Sequence, residues 1–197
     1  MSALILASQS ASRRAMLDAA GIPFTATFAG VDEDAAKASM AHLSGRDLAD
    51  ALAELKAVKV SLRHPEALVL GCDSTVTAPD GTLIDKTTSR EEAAAQLRRF
   101  AGATHRLSSA AVIAQRGQPI WRHVDTAKLT MRNFSDSFLE SYLDAEWPAI
   151  GGCVGGYRLE GLGAQLFSKI EGSHFTILGL PLLQLLDWLR TRGVIAT

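Results

Sequence analysis

The sequence predicts an α/β fold: a mixed, twisted sheet with flanking helices, arranged as one domain with two lobes over residues 1–197. Three observations carry this. Short apolar or alternating runs of strand length recur between well-capped helical segments. The two kinds of segment intermix without strict βαβ alternation, which argues for a mixed sheet and not an all-parallel one. The composition, 47% hydrophobic and 21% charged over 197 residues, is that of a globular chain long enough to bury a sizeable core.

The elements follow in order. Ala3–Ala7 is a short apolar run that reads as a first strand, and Arg13–Ala20 as a helix stopped by Gly21 and Pro23. Phe24–Phe28 alternates like a strand. Asp47–Leu62 carries Leu48, Ala51, Leu52, Leu55, Val58 and Leu62 at helical spacing. Ala67–Gly71 reads as a buried strand ending in Cys72-Asp73, and Pro79-Asp80-Gly81 as a turn. Ser89-Arg90-Glu91-Glu92 is a capping box that opens a helix over Arg90–Phe100. His105–Gln115 and Ile120–Met131 read as two long strands around Arg116-Gly117-Gln118-Pro119. Ser135 caps a helix that reaches Asp144. Gln165–Ile170 and Phe175–Leu178 are strand-like, and Pro181–Arg192 closes the chain as an amphipathic helix.

Composition excludes several classes of function. The net charge of −1 provides no global positive field for long nucleic acid. No run of 18 or more apolar residues exists, so no membrane span is expected, and the N-terminus lacks a basic leader. Cys72 and Cys153 form neither a disulfide framework nor a zinc spacing and read as small buried thiols of a reducing compartment. His42, His64, His105, His123 and His174 have no metal-ligand spacing. Gly151-Gly152-Cys153-Val154-Gly155-Gly156 lacks the register of a dinucleotide fingerprint, and there is no nucleophile elbow.

Two segments offer chemistry. Ser8-Gln9-Ser10-Ala11-Ser12-Arg13-Arg14 lies between the first strand and the first helix. Free N–H groups at a helix N-terminus, serine hydroxyls and an arginine make an anion cradle suited to phosphate; an ordinary serine cap is the alternative. Asp73 stands at the expected strand end, where open α/β sheets place ligand-handling groups. It could orient or deprotonate a water or hold a metal ion, and a turn cap is its alternative. Glu33, Lys56 and Lys86 are scattered charges, with Lys56 flanking the apolar stripe of its helix, where a lysine can snorkel.

Read together, Leu6-Ala7-Ser8-Gln9-Ser10-Ala11-Ser12-Arg13, Asp32-Glu33, Lys56, Gly71-Cys72-Asp73, Asp85-Lys86-Thr87 and Gly179-Leu180-Pro181 resemble the ordered motif set of the Maf family of nucleotide pyrophosphatases. The resemblance spans residues 5 to about 190. Leu159-Glu160-Gly161-Leu162-Gly163 and Leu166–Gly172 resemble the subgroup that acts on 7-methyl-GTP. The departures are Ala11 and Thr87 in place of family prolines, Ser12 and Ser74 at positions tied to specificity, and Gly151 and Gly152 where the family carries other residues.

The resemblance implies a fold like that of inosine triphosphate pyrophosphatase, with two lobes around a central cleft. It also implies hydrolysis of a nucleoside triphosphate, such as 7-methyl-GTP, CTP, UTP or dTTP, to a monophosphate and pyrophosphate, as a house-cleaning activity in the cytoplasm. A non-catalytic nucleotide-binding regulator of division is the rival reading. Arg13, Lys56, Asp73 and Lys86 take the catalytic roles, with Arg13 forking onto phosphate oxygens. Ser8, Ser10, Ser12, Ser74 and Glu160 contact substrate, and Glu33 with Asp73 holds Mg²⁺ or Mn²⁺. A homodimer is the implied assembly. A carboxylate only accepts hydrogen bonds, so Glu160 suits the donor edge of guanine or a cytosine amino group.

Overall fold

The computed structural model describes residues 4–196. The chain runs β1 (Leu4–Leu6), α1 (Ala11–Ala19), β2 (Phe24–Ala26), α2 (Glu33–Ser39), α3 (Gly45–Arg63), β3 (Leu68–Thr77), β4 (Leu83–Ile84) and α4 (Arg90–Phe100). It continues through β5 (Thr104–Gln115), β6 (Gln118–Met131), α5 (Asp136–Glu146), β7 (Phe167–Glu171), α6 (His174–Ile177) and α7 (Leu182–Thr191). One seven-stranded sheet runs β2-β1-β3-β5-β6-β7, with β4 paired to β3. β1 is parallel to both β2 and β3, whereas β3–β4 and β6–β7 are antiparallel, so the sheet is mixed as expected.

The backbone divides into two compact units. Unit 1 comprises the chain up to Ser74, Ser108–Asp125, and the chain from Ser173 onward. Unit 2 comprises Thr75–Leu107 and Thr126–Gly172.

In unit 1 the side chains of β1 alternate faces, as extended backbone requires. Leu4 and Leu6 pack with Leu68, Leu70 and Cys72 against Met16 and Leu17 of α1 and Leu182, Leu185 and Leu189 of α7. Ile5 and Ala7 point the other way, with Val69 and with Val60 of α3. Ala49, Ala53 and Ala57 of α3 cover Ala110, Val112 and Ala114. The sheet of this unit therefore has α1 and α7 on one face and α3 on the other. α3 approaches unusually closely: a Cβ built on Gly71 would lie 2.1 Å from the Ala53 carbonyl oxygen. Only small residues on both surfaces allow that approach.

This contact corrects the expected face of α3. Its buried residues are Leu48, Ala49, Leu52, Ala53, Lys56, Ala57, Val60 and Ser61, while Leu55 and Leu62 are 42% and 66% exposed. The alanines face the sheet because there is no room for leucine, and Lys56 lies inside the buried row instead of flanking it.

In unit 2, α4 buries Ala93, Ala94, Leu97 and Phe100, and α5 buries Leu139, Tyr142 and Leu143. Ser89 caps α4 through the Glu92 N–H, and Ser135 caps α5 through the Phe138 N–H, as expected. Arg90 bridges to Glu140 and Asp144, tying the two helices on their exposed sides.

Other expectations change. Ala3, within the first expected strand, lies outside the described residues, and that strand is Leu4–Leu6. Asp73 is not at a strand end, because β3 continues to Thr77 and pairs with β4 through Val76 and Thr77. What ends there is the pairing with β1, whose last partner is Leu70. The turn before β6 is tighter than four residues: Arg116 and Gly117 alone take positive φ, 52° and 75°, and Gln118 already begins the strand. Phe175–Leu178 is not a strand but falls on α6, a single helical turn. Four residues, three of them apolar, are too few for periodicity to decide between the two. α2, capped by Asp32, escapes a periodicity reading because it buries no residue.

Candidate active site

β1 and β3 run parallel, so the C-terminal end of β1 lies beside Leu70 of β3, and the Ala7 N–H bonds the Leu70 carbonyl. Ser8 leaves β1 there, and Cys72, Asp73 and Ser74 continue β3. The crevice beyond such carboxyl ends is the ordinary ligand site of an open α/β sheet.

On one face stands the loop between β1 and α1. Ser10 caps α1 by accepting from the Arg13 N–H. Ser8 Oγ accepts from the Ser10 N–H at 3.2 Å. Ser12 lies in the first turn, partly exposed. Arg13 reaches across to the strand: Nη1 donates to Ser8 Oγ and to the Cys72 carbonyl, Nη2 to Ser74 Oγ at 3.0 Å, and Nε to the Gly179 carbonyl at 2.8 Å. Gly179 has φ +101°, and a Cβ there would sit 3.2 Å from Arg13 Nε, so glycine at this position lets the guanidinium come close to its carbonyl. Four of the guanidinium N–H groups are engaged, which leaves one. The N–H groups that the sequence reading directs at phosphate oxygens are held here by oxygens of the protein itself.

On the opposite face of β3 lies the carboxylate of Asp73, as strand alternation requires. Lys56 Nζ contacts Asp73 Oδ1 at 2.5 Å and Glu33 Oε1 at 2.8 Å. Lys56 and Asp73 are each 7% exposed, while the Glu33 side chain is 42% exposed. A buried ammonium and a buried carboxylate hold each other in place, since removing either strands the other. Arg13 and Asp73 are thus neighbours through the Cys72–Ser74 backbone, approached from opposite sides of one strand.

A hard divalent cation takes oxygen ligands, often one or two carboxylates with phosphate completing the shell. Asp73 and Glu33 already converge on a single cationic point, so the donor set fits such an ion. Among the described residues no cluster of three or more metal-binding side chains is gathered. The remaining ligands would therefore come from phosphate and water.

Cys72, fully buried beside this site, has its thiol pushed up to about 11 by burial, against the lowering fields of Arg13 and Lys56. It is a packing residue and not a nucleophile.

Lys86 and Glu160 belong to unit 2. Both are exposed, and the charges of Glu160, Arg158, Lys86 and Glu146 all act on the Cys153 thiol, whose pKa burial raises first. These groups share one neighbourhood within that unit. Arg158 donates from Nε and Nη2 to Glu146 Oε2, at 2.9 and 2.7 Å. The Gly161 N–H closes back on the Arg158 carbonyl, in a turn that presents Glu160. Sequence reasoning singled out neither Glu146 nor Arg158. It also passed over Ser109, although a serine inside the apolar run from Leu107 to Ala114 demands a buried partner.

The family profile described as Maf-like protein matches residues 3–192. A protein of Ruegeria pomeroyi is 50% identical over 196 residues, covering 98% of both chains. One of Sphingopyxis alaskensis is 51% identical over 193 residues, covering 97% of this chain and 98% of its own. One of Caulobacter vibrioides is 53% identical over 192 residues, covering 96% of each. All three are described as nucleoside triphosphate pyrophosphatases. With a match over nearly its whole length and relatives at half identity, the chain belongs to the Maf-like protein family.

Proposed function

We propose that this chain hydrolyses a nucleoside triphosphate to a nucleoside monophosphate and pyrophosphate. The observation that carries the reading is the Lys56–Asp73–Glu33 trio, its lysine and aspartate buried, which lies across β3 from the serine-lined N-terminus of α1. The names of the half-identical relatives support it.

A nucleoside triphosphate carries about four negative charges, so charge neutralisation and positioning dominate the chemistry. Backbone N–H groups at the start of α1, with Ser8, Ser10 and Ser12, receive phosphate oxygens. Lys56 and the Arg13 charge oppose the tail's charge, and Lys86 is assigned a phosphate contact. Asp73 takes the proton of a water that attacks the α-phosphorus. The bond from that phosphorus to the bridging oxygen breaks, and its electron pair leaves with pyrophosphate. Mg²⁺ or Mn²⁺, when bound by Asp73 and Glu33, would polarise the phosphate oxygens.

For the base, the reading assigns Glu160 to a donor edge, which favours 7-methylguanine or cytosine triphosphates over UTP and dTTP. Ser74 and Ser12 stand at the positions tied to specificity. The test replaces Asp73 with Asn and follows products from an NTP panel with Mg²⁺ or Mn²⁺. Turnover should fall by about 10²–10⁴-fold, the usual worth of a general base. Undiminished turnover removes Asp73 from the mechanism, and orthophosphate in place of pyrophosphate overturns the reaction.

A further inference from the structure

Ser109 is fully buried, lies within a unit-1 segment of β5, and meets Ser74 through its hydroxyl. Its Oγ donates to the Thr176 carbonyl at 2.7 Å. A hydroxyl has a single proton, so that bond settles the next one. In the 2.8 Å contact between Ser74 Oγ and Ser109 Oγ, Ser74 must be the donor. Ser74 in turn accepts from Arg13 Nη2. The chain therefore runs in one direction, from Arg13 through Ser74 and Ser109 to the Thr176 carbonyl.

A second arm reaches the same carbonyl. The Thr176 carbonyl accepts a second bond from the Gly179 N–H at 3.0 Å, and the Gly179 carbonyl accepts from Arg13 Nε. Thr176 Oγ1 donates to Asp125 Oδ2 at 2.6 Å, which anchors α6, the helical turn that carries this carbonyl. Two arms thus leave Arg13, one through Ser74 and Ser109 and one through Gly179, and both end on the Thr176 carbonyl; along the hydroxyl arm each bond polarises the next.

We propose that Ser109 is a positioning residue for phosphate recognition, acting through Ser74 on Arg13, and that Arg13 and Ser74 serve the substrate as a rigid frame more than as free donors. Ser74 has no proton left to offer a ligand, and Arg13 keeps one N–H. Their placement holds Ser8, Cys72 and Gly179 in register around the start of α1. The inference rests on the pyrophosphatase reading given above.

The test is a double-mutant cycle on kcat/KM for pyrophosphate release, built from Ser109→Ala, Ser74→Ala and the double variant, with Ser109→Thr as the conservative control. Wild-type enzyme that releases no pyrophosphate overturns the functional reading and not the relay, because the relay can then be scored by binding of a non-hydrolysable triphosphate through the same cycle. The relay predicts about a tenfold loss for Ser109→Ala, and a double variant no worse than Ser74→Ala alone, since both cut one chain. Ser109→Thr, which keeps the hydroxyl, should recover at least half of wild-type kcat/KM. Losses that simply multiply, or a Ser109→Ala variant with wild-type kcat/KM, overturn the proposal. Should Ser109→Thr unfold at a lower temperature than wild type, the alanine cycle decides alone.

Discussion

At the scale of single residues, the site turns on charges that compensate one another in little water. Lys56 is 7% exposed and is held by two carboxylates, so it is a member of the core and of the site at once. Replacing Lys56 with Met leaves Asp73 and Glu33 facing each other without a cation. Chemical denaturation should show a loss of about 3 kcal/mol, the usual cost of stranding a buried charge, with at least a hundredfold drop in turnover. Wild-type stability in that variant would mean that the trio does not form in solution. Glu160 is exposed, and its substitution belongs to specificity. Glu160→Gln should move preference toward UTP and dTTP by about tenfold, the scale of one altered base contact; an unchanged nucleotide profile sinks the base assignment. The residue types of this site were legible, since a serine-rich helix start and an acid after a buried run are local signals. Their hydrogen-bond partners were not. Nothing in the sequence around Arg13 says that Gly179, 166 residues away, takes one of its protons.

Among the elements, β3 and α3 do the most to build the site. Gly71 is the point of closest approach, where an added methyl group would lie 2.1 Å from the Ala53 carbonyl and 2.7 Å from the Ala57 nitrogen. Helix backbone cannot yield as a side chain can. Gly71→Ala should therefore cost about 3 kcal/mol of stability, at the upper end for overpacking, and reduce activity by moving Lys56 away from Asp73. Thermal unfolding measured beside kcat checks both, and a variant unchanged in either refutes the contact. The helices with strong caps were legible to the residue or nearly so: α4 begins where its capping box places it and spans Arg90–Phe100 as expected. Failures came where local signals are silent. α2 buries nothing, α6 is one turn, and the buried face of α3 is chosen by the sheet it meets and not by where its leucines lie.

For the molecule as a whole, acid should reveal a second set of buried groups, in unit 2. His105 is 1% exposed, stacks on Phe100 at 4.5 Å, and shares a 2.7 Å hydrogen bond between Nε2 and Tyr157 Oη. Its Nδ1 is buried with no partner among the described residues. Burial lowers its pKa from 6.5 to about 4, because a charged ring would lose its water. Above pH 6.5 the ring is neutral in both folded and unfolded chains, and stability is full. Between pH 6.5 and about 4 only the unfolded chain takes up the proton, so stability falls with acidity, by about 3 kcal/mol across that window. Denaturation midpoints at stepwise pH should show a shallower fall in His105→Gln than in wild type, and parallel curves would refute the assignment. No helix among the described residues is long and apolar enough to cross a membrane. By itself the sequence determined the class of fold, the capped helices, the family and the residues that carry charge, because these follow from short-range patterns of polarity, caps and motif order. The tertiary structure alone decided that Lys56 is buried between two acids, that β3 runs on past Asp73, and that the Arg13 fork is already filled, because each depends on groups brought together from distant parts of the chain.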